Sequence, residues 1–143
     1  MIAKGFSRSI EDAFNRYLGP CNVPKLHLSV ADAMEEVKRI GGVAVLAHPS
    51  SISDNRSTLK DIITALSELG LEGIEVYSNM CYKEDIIYFN NLATQLALLV
   101  TGGSDYHGFH DDEEVGKLRG GMTIPYELVE RLRDAQDKLA QHE

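Results

Sequence analysis

Apolar positions fall at helical and strand periods in alternation along most of the chain. Ile10, Ala13, Phe14, Tyr17 and Leu18 share one helical face behind Ser9, a predicted N-cap with Asp12 three residues on, and Gly19-Pro20 ends the segment. Residues 21–28 contain Pro24 and carry no period, which predicts an extended connector. Ser29 then caps a second helix with Val30, Ala33, Met34 and Val37 inward, closed by Gly41-Gly42. Residues 43–47 form an unbroken run of small apolar side chains, the pattern of a parallel strand covered on both faces. After a polar loop from His48 to Ser57, Leu59, Ile62, Ile63, Leu66 and Leu69 mark a third helix that Gly70 ends. Residues 74–77 predict the next strand, residues 83–96 a fourth helix with Ile86, Phe89, Leu92, Ala93 and Leu96 inward, and residues 97–100 a third buried strand. A polar stretch punctuated by glycine from Gly102 to Gly121 leads to a short fourth strand over 122–124. A terminal helix follows, with Leu128, Val129, Leu132, Ala135 and Leu139 on its apolar face.

The β-α-β-α-β alternation predicts an α/β fold with a mostly parallel sheet and right-handed crossovers. A chain of 143 residues is one domain in size. Four strands cannot close a (β/α) barrel, yet each reads as buried on both faces, so the set reads as part of a larger sheet. Exposed parallel edges invite pairing, so either further chain at the amino terminus or a second copy is expected to cover them.

Composition narrows the function classes. Apolar residues make up 43% and charged residues 25%, the proportions of an ordinary core-forming domain. Lys plus Arg number 14 against 22 Asp plus Glu, a net charge of −8, with no basic stripe; duplex DNA held by phosphate attraction is disfavoured. Cys21 and Cys81 have no CxxC partner, which predicts reduced thiols in a cytoplasm. No signal-like apolar segment opens the chain and no window approaches the roughly 20 apolar residues of a membrane span, so neither export nor a membrane partner is expected.

In parallel α/β folds, chemistry collects at the carboxyl ends of the strands. His48-Pro49-Ser50 follows the first predicted strand, Glu75 lies within the second, and Gly102-Gly103-Ser104-Asp105-Tyr106-His107-Gly108 follows the third. Two imidazoles and a carboxylate thus fall on one rim, and such donors suit Zn, Mn or Fe. Taken singly, each has a plainer role: His48 bonding a backbone carbonyl, Asp105 capping a turn, Tyr106 packing. Glu75 points opposite to Ile74 and Val76, which suits a structural ion pair at least as well as a ligand. His110 falls in an acidic loop read as solvated, and His27 and His142 read as structural and tail residues. No G-x-S-x-G or G-K-[ST] motif occurs, so covalent serine catalysis and a phosphate loop have no support.

The run Gly41 to Pro49, then Gly73-Ile74-Glu75-Val76-Tyr77, then Gly103-Ser104-Asp105-Tyr106-His107-Gly108, resembles the carboxyl-terminal half of the polymerase and histidinol phosphatase (PHP) superfamily of metal-dependent phosphoesterases. Within it the sequence is most similar to the branch of nucleoside 3′,5′-bisphosphate phosphatases and 5′-to-3′ exoribonucleases, whose helical insertion resembles Ser7 to Pro24. The resemblance implies a partial, distorted (β/α)7 barrel, with residues 1–28 as helical insertion and connector and residues 29–143 as the carboxyl-terminal half. It also implies two or three divalent metals in a complete site. By motif, His48 matches the A-H-P ligand and Asp105 and His107 the D-x-H ligands; Glu75 is a weaker candidate ligand and Lys25 a substrate contact. The family's H-x-H motif, which belongs to its amino-terminal half, has no counterpart here.

The implied reaction is hydrolysis of a small nucleotide phosphate ester or a short RNA 5′ end by metal-activated water, which needs no protein nucleophile. Bound cations would offset the negative background for an anionic substrate. Two alternatives stay open: a non-catalytic remnant or interaction module that pairs with another chain, and a single metal held by His48, Asp105 and His107 as a two-histidine, one-carboxylate triad.

Overall fold

Short polar side chains set where the helices begin. In the computed structural model, which describes residues 1–21, 27–108 and 114–140, the hydroxyl of Ser9 accepts the Asp12 N–H at 3.0 Å and that of Ser29 the Asp32 N–H at 3.1 Å. The Asn55 side chain accepts from both Ser57 and Thr58. Each bond satisfies a donor that the first helical turn leaves open. The Asp85 carboxylate reaches back to the Tyr82 N–H in the same way, at 3.0 Å. The resulting helices are α1 (Ile10–Ala13), which runs on as a wider π turn over Phe14–Leu18, α2 (Val30–Arg39), α3 (Arg56–Glu68), α4 (Lys83–Gln95) and α5 (Glu127–Ala140).

Three strands, β1 (Val45–Leu46), β2 (Gly73–Ser78) and β3 (Leu99–Gly103), pair in parallel in the order β1-β2-β3. Leu46 sits opposite Ile74, and Ile74 opposite Val100, so the strand ends line up along one edge. The β2–β3 register slips between Glu75 and Tyr77, the kind of irregularity that re-aims side chains at the end of a strand. The apolar core gathers Leu59 and Ile63 of α3, Phe89, Leu92 and Ala93 of α4, and Ile74 and Val76 of β2, with Leu71 and Cys81. Leu46 and Val100 of the flanking strands pack against it, half-buried.

Several expectations are corrected. The first strand spans two residues and not 43–47, and it is half-buried because it lies at the sheet's edge. The third strand begins at Leu99 and not 97, since Ala97 takes a left-handed backbone, φ 54°, and Leu98 N–H bonds back to Ala93 at 2.8 Å to close α4. Residues 122–124 join no strand, so among the described residues the sheet has three strands where four were expected. The face of α1 read as inward is open: Ile10, Phe14 and Leu18 are 59%, 58% and 50% exposed, and only Ala13 is buried. No described helix is long and apolar enough to cross a membrane.

Gly102 is the tightest point of the sheet. A Cβ there would stand 2.5 Å from the Tyr77 carbonyl oxygen and 2.6 Å from its Cβ, and backbone cannot yield as a side-chain tip can. Gly102→Ala is therefore expected to cost about 1–3 kcal/mol in urea unfolding, the usual range for overpacking. An unchanged midpoint would show that β2 and β3 do not approach so closely.

Cys21 is exposed and Cys81 buried. Burial pushes the Cys81 thiol up; hydrogen bonds to Ser78 and Ser50 oppose this, while the Asp85 and Glu75 carboxylates add to it. One thiol per folded chain is expected to react quickly with a disulfide reagent at pH 8, and the second only on unfolding. Two equally fast thiols would contradict the placement of Cys81.

Candidate metal centre at the strand ends

β1 hands the chain to His48 two residues after it ends. His48 takes a left-handed backbone, φ 48° and ψ 49°, and its carbonyl accepts from the Ser51 N–H at 2.9 Å and the Ser51 hydroxyl at 2.7 Å. These bonds fold Pro49–Ser51 into a single turn of 3-10 helix and aim the imidazole along the rim. From the buried middle of the neighbouring strand, Glu75 Oε2 accepts the His48 backbone N–H at 3.0 Å. The carboxylate thus ties β2 to the end of β1.

β3 ends at Gly103, and Ser104 and Asp105 follow. Ser104 is buried, and its hydroxyl accepts the Gly116 N–H at 3.1 Å, which pins the loop that returns toward α5. Asp105 also has a left-handed backbone, φ 60°. Its Oδ1 lies 3.2 Å from His48 Nε2 and 3.8 Å from His107 Nδ1. Glu75 Oε2 is 3.8 Å from the same His48 nitrogen. His107 Nδ1 faces the Asp105 carbonyl oxygen at 2.6 Å. A carbonyl oxygen only accepts, so Nδ1 carries a proton. Three adjacent parallel strands therefore bring His48, Glu75, Asp105 and His107 to one rim, with the glutamate buried at its floor and the D-x-H residues exposed at its lip.

Among the described residues only three besides glycine have positive φ, namely His48, Ala97 and Asp105. Such conformations cost of order 1–3 kcal/mol each and gather at functional sites. Asp105→Gly is accordingly expected to be more stable than Asp105→Ala by about 1 kcal/mol, because both lose the carboxylate and only glycine relieves the backbone. Equal stabilities in thermal unfolding would mean that no strain is held there.

Asn79, which sequence reasoning passed over, holds this rim together. Its Nδ2 donates to the Ser104 carbonyl at 3.1 Å and the Lys117 carbonyl at 3.3 Å, and its Oδ1 accepts the Arg119 N–H at 2.7 Å. The signal was available, since Asn79 directly follows β2 as His48 and Asp105 follow the strands on either side. Tyr106 is exposed and packs on no core. His27 lies exposed, while Lys25, His110 and His142 fall outside the described residues.

The donor set fits a divalent cation in kind, with imidazole nitrogen and carboxylate oxygen together. Its present arrangement is not a formed cage: among the described residues no three His, Cys, Asp or Glu side chains converge as ligands. His48 Nε2 and Asp105 Oδ1 face one another, and Glu75 serves the His48 backbone.

No family model matches the chain. Over 90 residues it is 38% identical to a phosphoribosyl 1,2-cyclic phosphate 1,2-diphosphodiesterase of Eggerthella lenta, covering 63% of this chain and 32% of the relative. It is 29% identical over 110 residues to a 3′,5′-nucleoside bisphosphate phosphatase of Chromobacterium violaceum, with coverages of 75% and 39%. It is 27% identical over 144 positions to the 5′-3′ exoribonuclease Rnm of Escherichia coli, with coverages of 96% and 49%. Among solved structures, an amidohydrolase from Chromobacterium violaceum with bound sulfate and no metal superposes with a TM-score of 0.60 at 25% identity, over 94% of this chain and 48% of that one. A protein assigned as a metal-dependent phosphoesterase from Bifidobacterium adolescentis gives 0.61 at 28%, over 94% and 47%. The chain spans from a third to about half the length of these relatives. Its parallel α/β sheet, its A-H-P and D-x-H motifs at the ends of β1 and β3, and these relatives together make the chain similar to phosphoesterases of the PHP type over the part of their length that it spans.

Proposed function

We propose that the chain supplies part of the metal rim of a phosphoesterase that hydrolyses a nucleotide phosphate ester, either a nucleoside 3′,5′-bisphosphate or the 5′ end of a short RNA. The observation that carries this reading is the approach of two carboxylates to the His48 ring nitrogen, Asp105 at 3.2 Å and Glu75 at 3.8 Å, at the ends of the parallel strands. His48, Asp105 and His107 would hold Mn, Zn or Fe. A divalent cation bound there supplies Lewis acidity and a water of near-neutral pKa.

The chain's own part is positional. Glu75 fixes His48 through the backbone N–H, and the Asp105 carbonyl holds the His107 ring at Nδ1. Asn79 holds the D-x-H loop against the β2 end. Coverage of at most half of each relative supports a site completed from elsewhere, either by further chain or by a second copy. The open apolar face of α1 and the two-residue edge strand β1 support the second reading, a module that pairs with another chain.

The deciding experiment is elemental analysis of the dialysed chain, together with phosphate release from adenosine 3′,5′-bisphosphate and from a 5′-phosphorylated oligoribonucleotide in Mn²⁺. Metal uptake and turnover, both lost in Asp105→Asn, are the expected result. Uptake without turnover on either substrate would favour the pairing module, and no uptake would overturn the metal rim.

A further inference from the structure

A cleft of about 430 Å³ lies between the starts of α3 and α4, with Ser50 and Ser51 of the turn after His48 in its lining. That volume falls within the roughly 300–1,000 Å³ of pockets that take small ligands. Two guanidinium groups lie over tyrosine rings in its walls: Arg56 stands 4.9 Å from the Tyr88 ring centre and Arg119 4.9 Å from that of Tyr82. The two pairs differ in kind. Arg56 is committed, since its Nη2 meets Asp85 Oδ1 at 3.2 Å and its carbonyl accepts the Tyr88 hydroxyl at 2.7 Å. Arg119 makes no ion pair among the described residues, while Asn79 holds its backbone N–H at 2.7 Å. Its companion Tyr82 is 63% exposed.

One wall therefore offers a solvent-exposed tyrosine and, beside it, an arginine that makes no ion pair among the described residues and whose backbone Asn79 holds, while Asp54 and Asp85 line the rest of the cleft. That combination suits a nucleotide, whose base stacks on an aromatic ring or a guanidinium plane and whose phosphate meets an uncompensated arginine. Ser50, on the cleft's rim side, is two residues from His48 and adds a hydroxyl. None of His48, Glu75, Asp105 and His107 lines the cleft, so a group bound in it is distinct from a phosphate on the rim. We propose that the cleft is a subsite for a second nucleotide unit, its base on Tyr82 and Arg119 and its phosphate on Arg119. Its role beside the scissile bond rests on the phosphoesterase reading above, whereas its capacity to bind does not.

The test is titration of the whole chain with the dinucleotide pApA in EDTA, where no hydrolysis occurs, followed by the shifts of tyrosine and arginine NMR signals. Arg119→Ala and Tyr82→Ala are each expected to weaken binding about tenfold, and Tyr82→Phe to restore it, because stacking needs the ring and not the hydroxyl. Tyr82 is exposed, so its variants should fold, which thermal unfolding checks. No binding by the wild type, or equal affinity in all variants, overturns the subsite. Binding lost in the two alanine variants but without turnover in Mn²⁺ keeps the subsite and overturns the phosphoesterase. Turnover of pApA with an unchanged KM in Arg119→Ala and Tyr82→Ala does the reverse.

Discussion

Truncating Phe89 to alanine is expected to lower the free energy of unfolding by roughly 3–5 kcal/mol, the cost of deleting a buried aromatic ring whose surroundings cannot collapse onto the void. Phe89 is among the largest fully buried side chains, and it stands in α4 within the cluster that joins that helix to Ile74 and Val76 of β2 and to Leu59 and Ile63 of α3. Its ring also meets Tyr88 edge-on, with centres 5.3 Å apart, an arrangement that adds to simple burial. Most of the buried apolar residues among those described belong to this one cluster. A domain with about 5–15 kcal/mol in all has little left once that sum is taken away. Urea unfolding measures the loss, and the Cys81 thiol, buried in the same cluster, should become reactive in the variant. A change below about 1 kcal/mol would mean that α4 does not pack on the sheet as described.

How much of this was legible in the sequence depends on what each signal measures. Ser9 and Ser29 were readable as caps because one side chain and one N–H three residues on decide the matter locally. Helices α3 and α4 were readable because a core touches one face only. The run from Val43 to Ala47 misleads because apolar content reports what a segment can bury, not what stands beside it, and at the sheet's edge no described residue pairs on the far side of β1. Ile10, Phe14 and Leu18 failed for the same reason: the stripe is real, yet no described element lies against it. The start of β3 was misplaced by a backbone turn at Ala97, a residue whose type gives no hint of positive φ.

The site was legible for a different reason. His48 and Asp105 were found by their places after successive strands, which topology turns into neighbours 3.2 Å apart across 57 residues of chain. Their left-handed backbones were not legible, nor was the hold of Asn79 on Ser104 and Arg119, because such bonds depend on how the loops close and not on spacing. From sequence Glu75 is the weaker candidate, because a strand carboxylate commonly has a structural partner. Its partner turns out to be the backbone of His48, so its structural bond is also a bond to the candidate centre.

That double position yields the other large expected effect. Mn²⁺ at about a hundred times its dissociation constant should stabilise the wild-type chain by about 2.7 kcal/mol, a rise in Tm of roughly 10 °C for a domain of this size, since the ion binds the folded state alone. In Asp105→Ala the shift should vanish, because the rim loses the oxygen that both imidazoles face. Glu75 separates two roles. An amide oxygen at that position still accepts the His48 N–H but carries no charge, so Glu75→Gln is expected to keep most of the shift if Glu75 positions His48. Glu75→Ala, which also loses the bond at 3.0 Å, should weaken metal binding by about 10–100-fold, as when a supporting group behind a ligand is removed. Equal losses in the amide and the alanine would assign Glu75 as a ligand in its own right. A full shift in Asp105→Ala would place the ion away from these strand ends altogether.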